Sequence, residues 1–352
     1  MRMRIATIST RTVVAVVALG ALVARPTAAD GPYKLIKEIP IGGEGGWDYL
    51  NVDSAAKRLY VSHASKVVVV DTAKDTVVGE IGDTPGVHGA VPATPGRVVV
   101  SNGRGSNASI VDAKTLQTIG KVPTDANPDF IMFEPGRKEV YTFNGTGRSA
   151  TVIDPVTEKV VATIPLGGKP EAGVADPGAK RVYVNIENQN NIAVIDTATH
   201  TVVANWPIAP GEDAAGLAID LKNHRLFVGA HNNLMLMVDS TNGKVVAQVP
   251  IGAGVDSTWF DPGTGYAFSS CGDGTLTIAH EDSPAKLTVV QTLATERGAR
   301  TMALDSKTHR IYVAAAKFEA PAAPAAGAAP GRGRPTMVPN SMRVLVYGIN
   351  GK

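Results

Sequence analysis

The chain has 352 residues and a formal net charge of +2, with 44% hydrophobic and only 5% aromatic residues. This near balance, without a stripe of Lys and Arg, argues against nucleic acid as a partner, because proteins that follow a phosphate backbone carry an excess of basic side chains. Cys271 is the only cysteine, so no internal disulfide can form and hydrophobic burial must hold the fold together.

Residues 1–29 have the layout of a secretory signal peptide: Arg residues, an apolar run over 13–24, and small residues that offer cleavage after Ala29. The apolar run is short for a membrane span, although an uncleaved anchor is the alternative. Cleavage would leave 30 basic and 32 acidic residues and a net charge of −2. We therefore expect a periplasmic or secreted protein whose single domain covers residues 30–352, with no membrane span after cleavage.

A sequence unit recurs seven times along this domain. Each copy has two short strands joined by a polar turn, and a hairpin of two further Val-rich strands follows it. The strand after the polar turn carries one large apolar anchor every 39 to 44 residues, at Tyr60, Val99, Tyr141, Tyr183, Phe227, Phe268 and Tyr312. Four short strands in each period are the content of one propeller blade. The sequence predicts an all-β fold: a seven-bladed β-propeller of four-stranded antiparallel blades.

The two ends of the repeat array predict how the ring closes. Residues 33–41 (YKLIKEIPI) resemble the fourth strand of a blade, and residues 343–349 (RVLVYGI) resemble a third strand. The N-terminal strand should therefore complete the last blade, which leaves no free inner edge. A segment rich in Pro, Ala and Gly at 317–341 interrupts the same blade between its second and third strands. This loop insertion is either a tolerated surface segment or a lid over the channel.

One copy carries a family resemblance. RVYVN at 181–185, after KPEAGVADP and before AVIDTATHTVVANWPI, resembles the YVTN-type β-propeller repeat. The match extends over all seven periods, and the mature chain is similar to the exported YncE-like branch of that family. The resemblance implies the fold and the export. It implies little about activity, because the members are described as periplasmic or surface proteins of mostly unsettled role, one of them linked to DNA binding.

Propeller topology sorts the polar residues by face. The innermost strands all start at one end of the channel, which we call the mouth, and the loops between second and third strands lie at the same end. The aligned innermost strands place at the mouth Asp48, His88, Asp129, Glu171, Ala215 (after Glu212), Asp256 and Arg300. The loops add His63, Asn102, Asn144, Glu187 and His231, and Trp47 lies beside Asp48. These residues, apart from Ala215, are the predicted ligand-binding set.

Clustered carboxylates raise one another's pKa and attract cations. Together with histidine they bind divalent metals such as Ca²⁺, Mg²⁺ or Zn²⁺, and no other cofactor is indicated. The candidate metal ligands are Asp48, His88, Asp129, Glu171 and Asp256.

Several functions stay open at this point. The leading hypothesis is a propeller, expected to be a monomer, that binds a small ligand or a divalent cation at its acidic mouth. The second is a metal-assisted hydrolase or lyase, lactonase-like, in which His88, Asp129 or Glu171 acts as the catalytic base. The third is a scaffold that binds a protein partner on one propeller face. A mouth that is merely polar and solvated would also explain the pattern.

Overall fold

Short runs rich in β-branched residues set the strand pattern, and ten of the described strands end in an aspartate. The Asp71 carboxylate accepts hydrogen bonds from the backbone N–H groups of Ala73 and Lys74, at 2.9 and 3.1 Å, and so caps the turn. Asp75, in the same turn, adopts a left-handed conformation with φ of 53°. This turn chemistry reverses the chain and starts the next antiparallel strand.

The computed structural model describes residues 31–94, 96–319 and 336–350. Within them lie two one-turn 3-10 helices, Gly103–Gly105 and Glu187–Gln189, and 28 strands. The strands are β1 (Tyr33–Pro40), β2 (Leu50–Asp53), β3 (Arg58–His63), β4 (Lys66–Asp71), β5 (Thr76–Ile81), β6 (Val87–Pro92), β7 (Arg97–Asn102), β8 (Asn107–Asp112), β9 (Thr118–Pro123), β10 (Pro128–Glu134), β11 (Glu139–Asn144), β12 (Ser149–Asp154), β13 (Lys159–Pro165), β14 (Pro170–Asp176), β15 (Arg181–Ile186), β16 (Asn191–Asp196), β17 (Thr201–Pro207), β18 (Ala214–Asp220), β19 (Arg225–Ala230), β20 (Leu234–Asp239), β21 (Val245–Pro250), β22 (Val255–Asp261), β23 (Tyr266–Cys271), β24 (Thr275–Ser283), β25 (Lys286–Ala294), β26 (Met302–Asp305), β27 (Arg310–Ala315) and β28 (Arg343–Ile349).

These strands form seven four-stranded antiparallel sheets, the blades of a β-propeller. Six sheets contain consecutive strands, beginning with β2 to β5 and ending with β22 to β25. The seventh has the order β1-β28-β27-β26. In it Tyr33 pairs with Ile349 and Pro40 with Arg343. The structure thus confirms the predicted fold, including closure of the ring by the N-terminal strand.

The core lies between neighbouring blades. The Tyr60 side chain on β3 is 2% exposed and packs with Val87, Val98 and Val100 of the next blade. The other anchors on the second strands are equally buried. Burial of one large side chain at each blade interface gives about 1.5 to 3 kcal/mol, so the repeated anchors fix the spacing of the blades.

The predicted signal peptide and most of the insertion lie outside the described residues. The two ends of the insertion are described, and Phe318 forms an isolated antiparallel bridge with Met337. Across the described part of the chain, no helix has the length and apolar character needed to cross a membrane.

Closure by β1 gives a prediction about stability. Ile39 on this strand is 1% exposed and packs in the interface between the last and first blades, whereas Leu35 on the same strand is 47% exposed. We expect Ile39→Ala to lower the free energy of unfolding by about 2 to 5 kcal/mol. Leu35→Ala should change it by less than about 0.5 kcal/mol. Chemical denaturation of both variants checks this, and equal effects would contradict a stabilising role for the closing strand.

Candidate metal and ligand site at the channel mouth

The polar residues of the mouth lie on irregular backbone. In five of the seven innermost strands the pairing register shifts close to the strand's first residue. The shifted segments contain, in chain order, His88, Asp129, Glu171, Ala215 and Asp256. A β-bulge bends its strand and re-aims a side chain. The bulges therefore turn one side chain of each of these blades toward the mouth.

Hydroxyl groups fix the backbone at these positions. The Asp48 N–H donates to Ser62 Oγ at 2.8 Å, and the Asp48 carbonyl accepts from Thr301 Oγ1 at 2.8 Å. The Asp129 carbonyl accepts from Ser101 Oγ of the neighbouring blade at 2.9 Å. Asp48 precedes β2 and Asp129 lies in a register shift, so the strand ladders pair neither residue. The hydroxyl groups satisfy these backbone groups and so hold the two acidic residues in place.

Three predicted residues converge closely. His88 Nδ1 lies 2.6 Å from Asp48 Oδ2 and 3.1 Å from Asp129 Oδ1. One ligand atom from each residue lies within 4.8 Å of the other two. Burial disfavours the charged imidazolium, yet the hydrogen bond that the imidazolium donates to Asp48 and the charges of Asp129 and Asp48 outweigh this effect and raise the pKa of His88 to about 9. At neutral pH the triad therefore holds a proton between its two carboxylates.

The back of the His88 ring is also held. A Cβ on Gly103 would lie 2.6 Å from His88 Nε2 and 2.8 Å from Asn127 Oδ1. The glycine therefore leaves room for the His88 ring and the Asn127 amide beside it. A hydrogen bond with the Asn127 side chain further raises the pKa of His88. The ring is therefore fixed with Nδ1 directed at the carboxylates.

Glu171 and Asp256 each contact a cation. The Lys169 ammonium bridges the carboxylates of Glu171 and Glu187. The Arg300 guanidinium donates from Nε to Asp256. Of the five predicted metal ligands, the structure thus brings three together and pairs the other two with basic side chains.

Burial changes the acidity of these carboxyls. Desolvation, then the nearby charge of Asp129, raises the pKa of Glu171 to about 8, although Lys169 opposes the shift. Desolvation and the charge of Asp48 raise the pKa of Asp256 to about 6 against the effect of Arg300. Desolvation raises the pKa of Asp129 to about 6, and the charge of His88 partly offsets this shift. The mouth therefore holds several protons that exchange near neutral pH.

Sequence reasoning missed the residue at the centre of the mouth, Tyr49. Its hydroxyl lies 3.4 Å from Glu171 Oε2. Burial, followed by the charges of Asp256, Glu171, Asp129 and Asp48, raises the pKa of this phenol far above its usual value. Tyr49 precedes the first blade, yet its ring packs on Phe130 of the third blade and its hydroxyl contacts Glu171 of the fourth, which places it near the channel axis. The sequence did contain a signal for Tyr49, because it is an aromatic residue directly after Asp48. It was overlooked because the alignment of the innermost strands followed only one position in each blade. Lys169, two residues before Glu171, was missed for the same reason.

The remaining predicted residues lie around this centre. Asn102 and Asn144 are fully buried and donate to serine and threonine hydroxyls of their own blades, so their amides stabilise hairpins and do not reach solvent. His63 is 1% exposed, and burial lowers its pKa. Trp47 is half-buried with its ring centroid 6.1 Å from that of Phe318. Glu212 and His231 are exposed, and the His231 N–H donates to the Glu212 carbonyl at 3.0 Å.

Comparison with known proteins supports the fold and does not identify a function. No family model matches the chain, and no curated protein matches it. Among solved structures 1781 chains match, including the hydrazine synthase of Kuenenia stuttgartiensis, with a TM-score of 0.67 and 18% sequence identity. That alignment covers 84% of this chain and 96% of the other. Likeness at this identity shows a shared propeller architecture, and the YVTN-type family stays a hypothesis.

The triad predicts a histidine with unusual titration. We expect the His88 ring to titrate near pH 9, and Asp48→Asn to lower that pKa because it removes the strongest partner of the imidazolium. The control is Glu212→Gln, which removes an exposed acid from the same end of the channel. Histidine ring chemical shifts followed by NMR from acid to alkaline pH check this. A pKa of His88 near 6.5 in the unaltered protein would contradict the geometry.

The raised carboxyl pKa of Glu171 predicts how stability depends on pH. A group whose folded-state pKa lies above its unfolded value contributes stability below the unfolded value and loses it as pH rises through the folded value. For Glu171 that loss runs from about pH 4.5 to pH 8. We expect Glu171→Gln to flatten the decline in Tm over this range. The control Glu187→Gln, which alters the other partner of Lys169, should keep the decline in Tm. Parallel slopes for Glu171→Gln and the unaltered protein would contradict the assignment.

Proposed function

We propose that this protein is an exported, YncE-like propeller that binds a divalent transition metal through Asp48, His88 and Asp129. The observation that carries the proposal is the convergence of one imidazole nitrogen and two carboxylate oxygens from three blades, within 4.8 Å of one another. The predicted export and the family resemblance support the periplasmic or secreted location, and both are part of the proposal.

The donor set favours Zn²⁺ over Ca²⁺ or Mg²⁺. Ca²⁺ and Mg²⁺ take oxygen ligands, whereas imidazole nitrogen suits Zn²⁺ and its neighbours in the transition series. Three protein ligands are the number typical of zinc sites that keep one position open for water or a substrate. Metal-bound histidines commonly donate their other N–H to a fixed acceptor, and the Asn127 side chain is in place for this.

Proton competition defines how such a site works. The imidazole must lose its proton to bind metal, and the pKa of His88 is raised to about 9. Binding below that pH therefore releases one proton from His88. Below about pH 6 a second proton must leave, because the pKa of Asp129 is raised to about 6. Apparent affinity should rise with pH, and the site should release its metal in acid.

Metal-assisted hydrolysis is the second candidate, and one arrangement favours it. The buried Glu171 carboxyl has a pKa raised to about 8, so it can give or take a proton near neutral pH. Arg300 is exposed at the same mouth and can bind an anionic group of a substrate. A metal at the triad would supply a polarised water molecule. In this chemistry Glu171 acts as the acid or base and Arg300 orients the substrate.

The metal proposal is tested by calorimetric titration of untagged, metal-stripped protein with Zn²⁺. We expect one site, about tenfold tighter for each pH unit between about pH 6 and pH 8, because one proton is displaced. His88→Gln and Asp129→Asn should each weaken binding at least about tenfold.

The matched control is Glu212→Gln, which removes one carboxylate from the same end of the channel without touching the triad. It should bind Zn²⁺ as the unaltered protein does. Binding that is independent of pH, or equal in His88→Gln and the unaltered protein, would rule out the triad as the metal site.

A further inference from the structure

Behind Tyr49, away from the metal triad, the channel contains a cavity of about 390 Å³ that we call the apolar pit. Its walls come from the innermost strands and include Phe130, Met132, Val174, Ile219 and Trp259. Its outer end is lined by Pro135, Pro177 and Leu221, which belong to turns at the face opposite the mouth. The volume falls in the range of pockets that bind small organic molecules.

Tyr49 separates the pit from the mouth. Its ring lines the pit and packs edge-on against Phe130, with centroids 4.9 Å apart, while its hydroxyl contacts Glu171 on the mouth side. None of the three triad residues lines the pit. A ligand held there would therefore occupy a site separate from the proposed metal site.

The charge of the pit is one-sided. Among the described residues that line it, Asp256 alone is ionisable with a charged form near neutral pH, and it lies at the inner end with Tyr49. The carboxyl group of Glu171 lies 3.4 Å from the Tyr49 hydroxyl, on the mouth side. Asp256 Oδ2 accepts a hydrogen bond from Arg300 Nε, but Arg300 does not line the pit. A cation in the pit would therefore meet a carboxylate and the aromatic rings of Tyr49 and Phe130, whereas an anion would meet the same carboxylate without a lining cation to balance it.

The aromatic walls are fixed. Trp259 Nε1 donates to the Met302 carbonyl at 2.9 Å, so the polar atom of the indole is satisfied and its ring is held at the wall. Phe130 is held between Tyr49 and Phe143, whose ring lies 6.2 Å away in a stacked arrangement. A wall fixed in this way loses little conformational entropy when a ligand binds.

We propose that the apolar pit binds a small amphiphilic organic cation, with its hydrocarbon body between Phe130 and Trp259 and its ammonium group at Asp256 and Tyr49. This goes beyond the proposed metal binding and does not depend on it. The hydrocarbon body gains from leaving water, and the ammonium group is the one end group that the acidic inner end favours.

The test uses three straight-chain probes of equal length, decylamine, decanol and decanoate, each below its micelle-forming concentration. Binding to the full protein is measured by calorimetry. We expect decylamine to bind about tenfold more tightly than decanol, because a carboxylate and aromatic rings contact its ammonium group. Decanoate should bind most weakly. Asp256→Asn should remove the preference for decylamine over decanol.

Variants that fill the pit locate the binding. Val174→Trp should abolish binding of decylamine and decanol, and Val174→Ile should retain it. If Val174→Trp does not fold, Ile219→Trp fills the pit from the next blade. Folded pit-filling variants should still bind Zn²⁺, because the triad is separate. Failure of zinc binding in all proteins would therefore overturn only the metal proposal.

Three outcomes would overturn the pit proposal. The first is an absence of decylamine binding to the unaltered protein. The second is decylamine binding that a folded pit-filling variant retains, which would place it on the exposed valines of the outer strands. The third is equal affinity for decylamine, decanol and decanoate, which would remove the cationic end from the ligand.

Discussion

The antiparallel pairing of β1 with β28 is the contact on which the other features depend. It joins Tyr33 to Ile349 and so closes a ring whose other six blades are each built from four consecutive strands. The chain then passes from β1 directly to the mouth, where the Asp48 carbonyl accepts a hydrogen bond from Thr301 of the last blade. Closure therefore brings the first and last blades together and also places one acid of the triad. A repeat array without that pairing would leave an open edge and an incomplete mouth.

The fold could be predicted from the sequence because the pattern of one blade recurs seven times. Seven anchors such as Tyr60 and Tyr183 recur at blade spacing, and a fourth-strand pattern at the N-terminus meets a third-strand pattern at the C-terminus. The period can still be recognised when one copy departs from the common pattern. The same alignment placed His88, Asp129 and Asp48 at one end of the channel, but it could not give the distances between their side chains.

The rest of the site depends on local departures from the repeat. Bulges at the starts of the innermost strands decide which side chain turns inward, and an alternating pattern does not reveal a bulge. Tyr49 and Lys169 lie outside the bulges, and they were missed because the alignment followed one position per blade. Asn102 and Asn144 were expected at the mouth because of their loop position, yet hydroxyl groups in their own blades take up their amides. A loop position alone does not distinguish a side chain that faces solvent from one that caps a hairpin.

The channel combines two environments that Tyr49 holds apart. On one side, buried carboxylates are balanced by Lys169, Arg300 and the proton of His88. On the other side, the walls are almost entirely apolar. Burying several acids together is costly unless cations or protons accompany them. Exchangeable protons at the mouth lower the free-energy cost of burying these acids, and a divalent metal can replace the protons. This exchange is the physical basis of the proposed function.

The most direct test of this account is the anomalous diffraction of crystals soaked with Zn²⁺ at about pH 8. We expect one strong peak at the mouth, about 2.0 to 2.2 Å from His88 Nδ1 and from one oxygen each of Asp48 and Asp129. An empty triad with zinc bound elsewhere, for example at His280 and Asp282 on the opposite face, would contradict it.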